Sequence, residues 1–326
     1  MSSSDAESSL ANSWPAGLTL TGGIPTESQD LAASIVFAVA FLLLLPLAIL
    51  RFAQPATRTW VLLRPTIVAT LRIATYIIRA VEAKGNYSEG LFIAEQVLLL
   101  SGLIPLVDPI VSLLRAHVKR NWIPEPPARA GEEQKKRTML DRALRVLKLA
   151  VLVAIILGIV SGVKAGNAIN DPDQASQLKT YRYATIGLTL FIIGVSALVC
   201  CAVHVRDGLP LRGTLFILLA CGILLIPNLY KLVTALHHPS MLSGGTKAAF
   251  YLLSAWPEHL CILLYLWPNL NEMFDLPEAK WKEKVEGKMK KGEWPAGMGY
   301  VGKAEYEQIS TRGSFEMTDA AAYNKA

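Results

Sequence analysis

Seven blocks of apolar residues, each close to the length of a membrane crossing, constrain this chain more than any other feature. A helix needs about 20 apolar residues to cross roughly 30 Å of hydrocarbon. The blocks cover 31–50, 60–83, 90–114, 144–163, 183–204, 212–236 and 248–267. A soluble domain would mix apolar and polar residues on a short period. Here 52% of residues are hydrophobic and they come in runs. The reading is an all-α polytopic membrane protein, a seven-transmembrane-helix bundle over 31–268. Residues 1–30 are expected to form a disordered extracytosolic N-terminus, and 269–326 a basic cytosolic tail, partly disordered.

Lysine and arginine are distributed unevenly about the spans, and this bias sets orientation. Arg51 and Arg58 join spans 1 and 2. Arg115, Lys119, Arg120, Arg129, Lys135, Lys136, Arg137 and Arg142 join spans 3 and 4, and Arg206 joins 5 and 6. The opposite side holds Lys84, Lys164, Lys179, Arg182 and Lys247, and the first 30 residues hold no Lys or Arg. The N-terminus is therefore expected outside and the C-terminus in the cytosol. A start without basic residues is also unlike a cleavable signal peptide. Asn86-Tyr87-Ser88 is a glycosylation tripeptide on the side read as external, at Asn86, and adds secondary support. Integral membrane placement follows, with the plasma membrane favoured over endomembranes.

Two segments outside the spans have their own character. Pro124 to Arg137 is proline-rich and charged, and is read as disordered. The tail places Trp281, Val285 and Met289 on one stripe among lysines, which suits a helix lying on an anionic inner leaflet. All four cysteines, Cys200, Cys201, Cys221 and Cys261, fall inside apolar blocks and are read as small buried hydrophobes.

Charges inside the spans are the candidate functional residues. They cost a few kcal/mol at mid-membrane and normally face the bundle interior. Arg72, Tyr76 and Arg79 share one face of span 2 at helical spacing. Matching depth across the spans pairs Arg79 with Glu95 or Glu82, Arg72 with Glu258, and Arg64 with Asp108. Lys231, Tyr230 and His259 lie nearby in depth. Pro65, Pro105, Pro109, Pro227 and Pro257 interrupt spans 2, 3, 6 and 7, each removing a backbone donor. The candidate ligand-binding set is Arg72, Tyr76, Arg79, Glu95, Asp108, Tyr230, Lys231, Glu258 and His259. They would line a polar cavity among spans 2, 3, 6 and 7, or else form satisfied pairs that fix helix register.

Rhodopsin-like receptors are disfavoured. The inner end of span 3 reads Leu113 to His117 (LLRAH) and span 7 reads Leu264 to Leu270 (LYLWPNL), without that group's motifs. The stretches Ser101 to Arg115, Ile226 to Val233 and Ala255 to Leu266 resemble uncharacterised fungal seven-helix membrane proteins, Pro257-Glu258 included. Asn228 to Lys231 departs from the arginine often found there. Arg79 to Glu82 is more loosely similar to the Arg-x-x-Glu of the fungal lipid-translocating exporter family. That second resemblance implies lipid transport, and the first implies no activity.

The leading function is a receptor-like or ligand-binding seven-helix protein taking a small molecule or lipid. The alternatives are a lipid or small-solute transporter and a structural membrane protein. An enzyme is not expected. His117, His204, His237, His238 and His259 share no metal-ligand spacing, and GxSG and GxGD motifs do not occur. No cofactor, metal or nucleic-acid partner is expected, and membrane lipids are the expected surroundings.

Overall fold

The structure is a computed structural model and describes residues 21–54, 56–86, 88–120, 130–167, 172–237, 242–274 and 276. Among these residues the chain is helical and holds no strand. Seven helical segments are long and apolar enough to cross a membrane: α1 (Glu27–Ala53), α2 (Trp60–Ala83), α3 (Gly90–Lys119), α4 (Lys135–Ala165), α5 (Asp173–Asp207), α6 (Leu211–His237) and α7 (Gly244–Leu266). A short α8 (Leu270–Phe274) follows. Residues 1–20, 124–129 of the proline-rich loop and the basic tail from 277 lie outside the described residues.

Helices in sequence order pack against one another, and α7 closes the ring against α1 and α2. The second half of α3 touches α4, α5 and α6 and is the central post of the bundle. In its most apolar stretch 72% of α3 is buried inside the protein, against 22% for α1. Outward faces carry Ile35, Val36, Val39, Phe191, Leu198 and Leu252, exposed side chains that suit acyl chains. Cys200, Cys221 and Cys261 are buried as expected, but Cys201 faces outward.

Several boundaries differ from the sequence reading, and they differ in one direction. α1 starts at Glu27 rather than 31, and Thr21 to Thr26 and Asp30 are buried, in a stretch read from the sequence as disordered. The helix containing α4 begins at Ala130, within the stretch read as disordered, and runs to Asn167. The α5 helix begins at Pro172. Hydropathy ends where lipid would end. Backbone hydrogen bonds continue as long as good helix formers follow, and Glu, Gln, Lys, Arg and Leu are such residues.

Proline and glycine set the breaks. α1 is interrupted at Leu43, just ahead of Pro46. In α3 the α-helix stops at Ser101, a 3-10 turn covers Ile104–Leu106, and the helix resumes at Val107. Pro105 has no N–H to return to Ser101. α7 opens into a π-turn over Tyr251–Ala255, directly before Pro257. Pro227 is accommodated within an unbroken α6.

Gly158 and Gly162, one helical turn apart on α4, allow close approach to α3. A β-carbon on Gly162 would lie 2.6 Å from the Val97 Cα, and one on Gly158 would lie 2.7 Å from Ile104 Cδ1. Small residues at this spacing let backbones meet, a packing used where lipid supplies no hydrophobic drive. At one end of the bundle Arg51 caps α7. Its Nε donates to the Leu266 carbonyl at 2.8 Å, and Nη2 donates to the Trp267 carbonyl. Those carbonyls have no partner further along the helix. Asn271 on α8 donates to the Arg58 carbonyl at 2.8 Å, tying α8 to the α1–α2 connection.

Candidate functional site

Arg79 has no exposed surface and is bonded from several helices. Its Nη1 donates to Glu95 on α3 at 2.7 Å and its Nη2 to Asp30 on α1 at 2.7 Å. Nη2 also donates to the Gly22 carbonyl at 2.5 Å, and Nε to the Tyr251 hydroxyl at 3.1 Å. The guanidinium lies over the Phe250 ring, 4.9 Å from its centroid. Gly22 adopts φ +85°, and a β-carbon there would approach Arg79 Nη1 at 3.1 Å. The turn that delivers its carbonyl to Arg79 thus needs glycine.

Asp30 also receives α7. Lys247 Nζ lies 2.9 Å from Asp30 Oδ2 and donates to Thr26 Oγ1 at 2.5 Å. Two cations, Arg79 and Lys247, are balanced by Asp30 and Glu95. Glu82 is a third buried acid beside them, and neither of its carboxylate oxygens has a hydrogen-bond partner.

Deeper in the bundle Arg72 Nε pairs with Glu258 on α7 at 2.5 Å, and Nη1 donates to the Leu98 carbonyl at 3.0 Å. Glu258 also accepts from Ser254 at 3.2 Å, a residue brought inward by the π-turn. The break in α3 makes this possible. Gly102 leaves room for the guanidinium, since a β-carbon would lie 3.0 Å from Arg72 Cζ. The next carbonyl, Leu99, accepts from Lys231 Nζ of α6 at 3.0 Å. Two successive carbonyls of α3, Leu98 and Leu99, thus each meet a buried cation, while Leu98 keeps its bond from the Gly102 N–H at 3.1 Å.

The third expected pair, Arg64 with Asp108, forms at the other end, where Arg64 is partly exposed. A second acid there, Asp141 of α4, gathers Arg115 at 2.7 Å, Lys119 at 3.3 Å and Arg145. Among the remaining expected residues, Tyr76 is buried and packs between Phe41, Phe37 and Tyr251. Tyr230 is buried with no partner for its hydroxyl. His259 stacks on Trp256 and meets the edge of Phe41. Asn86 is exposed.

Ion pairs occupy part of the region between the second, third and seventh spans, and Asp30 of α1 and Lys247 of α7 join the Arg79 group. Sequence reasoning placed Asp30 outside the membrane domain and Lys247 in a loop. The signal for Asp30 was present in Thr26-Glu27, a helix-start pattern ahead of the first apolar run.

A small, partly open cavity sits among α3, α4, α5 and α6. Arg182 and Thr185 of α5, Asn228 and Lys231 of α6 and Ser161 of α4 supply its polar lining. Leu100, Leu103, Ile104 and Ile186 supply much of the remainder. Of the expected ligand-binding set, only Lys231 lines it. The Ser161 and Thr185 hydroxyls are buried without a hydrogen-bond partner.

Fold and site together define an integral seven-helix membrane protein with a charge-paired interior and a small, largely apolar cavity beside it. Residues 29–267 match the family described as Domain of unknown function (DUF7702), and the chain belongs to that family. No curated protein and no solved structure matches the chain.

Proposed function

We infer that this protein is a receptor-like, ligand-binding seven-helix membrane protein whose ligand occupies the cavity among α3, α4, α5 and α6. The observation that carries this reading is Lys231. Arg64, Arg72, Arg79 and Lys247 each meet a carboxylate. Lys231 is 5% exposed and meets none within ion-pair distance among the described residues, holding only the Leu99 carbonyl. A buried charge is expensive unless paired, and buried hydroxyls are normally hydrogen-bonded. Lys231, Ser161 and Thr185 belong to the lining of the same small space.

The α1, α2, α3 and α7 ion pairs serve the bundle itself in this reading. Arg79 then belongs to helix pairing, and the Arg-x-x-Glu spacing it shares with Glu82 adds nothing to lipid translocation. Transport of the cavity's ligand is a second reading, favoured by the breaks in α3 and α7 beside the buried cations. In either case the Arg51 and Asp141 end faces the cytosol, because the basic residues cluster there. The basic tail then meets the anionic inner leaflet.

A thermal-shift screen of the purified full chain against lipids, sterols and small metabolites tests the ligand site. A compound that raises the melting midpoint of the native protein and leaves folded Lys231→Met unmoved supports it. Ligand shifts untouched by Lys231→Met, or no shift from any compound, remove it. Uptake into proteoliposomes then separates transport from sensing.

A further inference from the structure

We propose that an anionic phospholipid of the cytosolic leaflet docks its headgroup phosphate on the face of α3 between α2 and α4, against Arg64, Arg115 and Lys148. This site is separate from the cavity of the ligand-site reading and shares with that reading only the cytosolic placement of this end.

The charge follows from one polar stripe. Asp108, Ser112, Arg115 and Lys119 recur at helical spacing along one side of α3, which packs there against both α2 and α4. Asp108 holds Arg64 of α2 and accepts from the Ser112 hydroxyl at 3.3 Å. Ser112 in turn accepts from Lys148 Nζ of α4 at 3.2 Å. Arg115 and Lys119 turn to Asp141 of α4, which also holds Arg145. Two acids thus stand among five basic side chains, and three positive charges of this group are left unbalanced.

Lys148 selects an anion as the occupant. It is exposed, and it meets no carboxylate within ion-pair distance among the described residues. Its ammonium has three protons to donate and spends one on Ser112. The charges that act on it are Arg64 and Arg115, both of its own sign. A phosphate oxygen shared among these three relieves their repulsion and takes charge-assisted hydrogen bonds from each. Depth makes that phosphate a lipid's. Arg64 lies about one turn along α2 from Trp60, whose exposed indole suits the membrane interface. One turn further into the membrane, Ile67 of α2 and Leu152 of α4 are exposed aliphatic side chains. A headgroup held by the three cations therefore lays its acyl chains beside Ile67 and Leu152. Basic pockets between helices on the cytosolic side are suited to anionic headgroups in this way.

The test titrates the full chain, in a neutral sugar detergent, with dioleoylphosphatidylglycerol or dioleoylphosphatidylcholine and reads the melting midpoint. The two lipids share their tails and their phosphate, but choline neutralises the second. Phosphatidylglycerol is expected to give a saturable rise and phosphatidylcholine a smaller one or none. Lys148→Gln should need about fivefold more phosphatidylglycerol for half the rise, the usual effect of one basic side chain at an anionic membrane surface. Lys148→Arg should stay near the native value. A chain carrying Lys288→Gln, Lys290→Gln and Lys291→Gln together controls for attraction by the basic tail, and it should keep the native half-saturation. If Lys148→Gln fails to fold, Lys148→Met, which suits a lipid-facing position, takes its place. A half-saturation unmoved by the Lys148 variants overturns the proposal, as does weakening confined to the tail variant. Phosphatidylcholine matching phosphatidylglycerol, or no rise with either lipid, overturns it too. An equal rise with glycerol 3-phosphate at similar concentration assigns the site to a soluble anion and overturns the lipid.

Discussion

Asp30 at the start of α1 and Arg79 near the end of α2 form a fully buried ion pair, with Oδ1 2.7 Å from Nη2. The same carboxylate holds Lys247 of α7, and the same guanidinium holds Glu95 of α3. Four helices are thereby locked in rotation and depth at one end of the bundle. Removing one member of a buried pair leaves an uncompensated charge, which is costlier than never having had the pair.

Arg79→Met is therefore expected to destabilise the protein by roughly 3–5 kcal/mol, the usual cost of breaking a buried pair. Arg79→Lys should also lose stability, because one ammonium cannot reach Glu95, Asp30, Tyr251 and Gly22 together. Detergent-solubilised melting curves measure both. A midpoint unchanged in Arg79→Lys would show that the fork geometry is unimportant.

Glu82 and Glu95 should respond oppositely to neutralisation. Glu95→Gln removes a partner of Arg79 and should lower the midpoint. Glu82→Gln should leave it unchanged or raise it, since Arg79 and Lys247 are already balanced by Asp30 and Glu95. Equal losses in the two variants would mean that Glu82 contributes charge compensation that the geometry does not reveal.

Arg72 and Glu258 should be strongly coupled. In a double-mutant cycle with Arg72→Met and Glu258→Gln, a contact of this kind gives about 0.5–3 kcal/mol of interaction energy. Additive losses would place the two side chains apart in the folded membrane protein.

Gly162→Val should push α4 from α3, because its β-carbon would fall 2.6 Å from the Val97 Cα, a backbone atom that cannot rotate away. Overpacking of this kind costs about 1–3 kcal/mol. Gly187→Ala, where a β-carbon meets open space, is the matched control. Similar melting behaviour in the two would argue against close approach of α3 and α4.

Gly22→Ala tests the inserted N-terminal turn. A side chain at φ +85° is strained, and this one also presses on Arg79. A loss of roughly 1–2 kcal/mol is expected from the left-handed backbone alone. An unaffected midpoint would mean that the turn is not needed for the Arg79 site.

The apolar runs alone determined that seven helices span a membrane, because hydropathy sums over some twenty residues and survives errors at each end. Charge depth along the spans also pointed to the pairings of Arg72 with Glu258, Arg64 with Asp108, and Arg79 with Glu95 or Glu82, of which the structure forms the one with Glu95. Depth advances about 1.5 Å per residue along a helix, so it can be counted from the sequence. What a sequence does not carry is the rotation of each helix about its axis and the path of the chain beyond the apolar run. Only the tertiary structure brought Asp30 and Lys247 into the Arg79 network. Only the packing of α3, α4, α5 and α6 brought Lys231 to the Leu99 carbonyl and left a small space among these helices. Each of these depends on several neighbours at once, and packing is settled jointly by all the helices that share it.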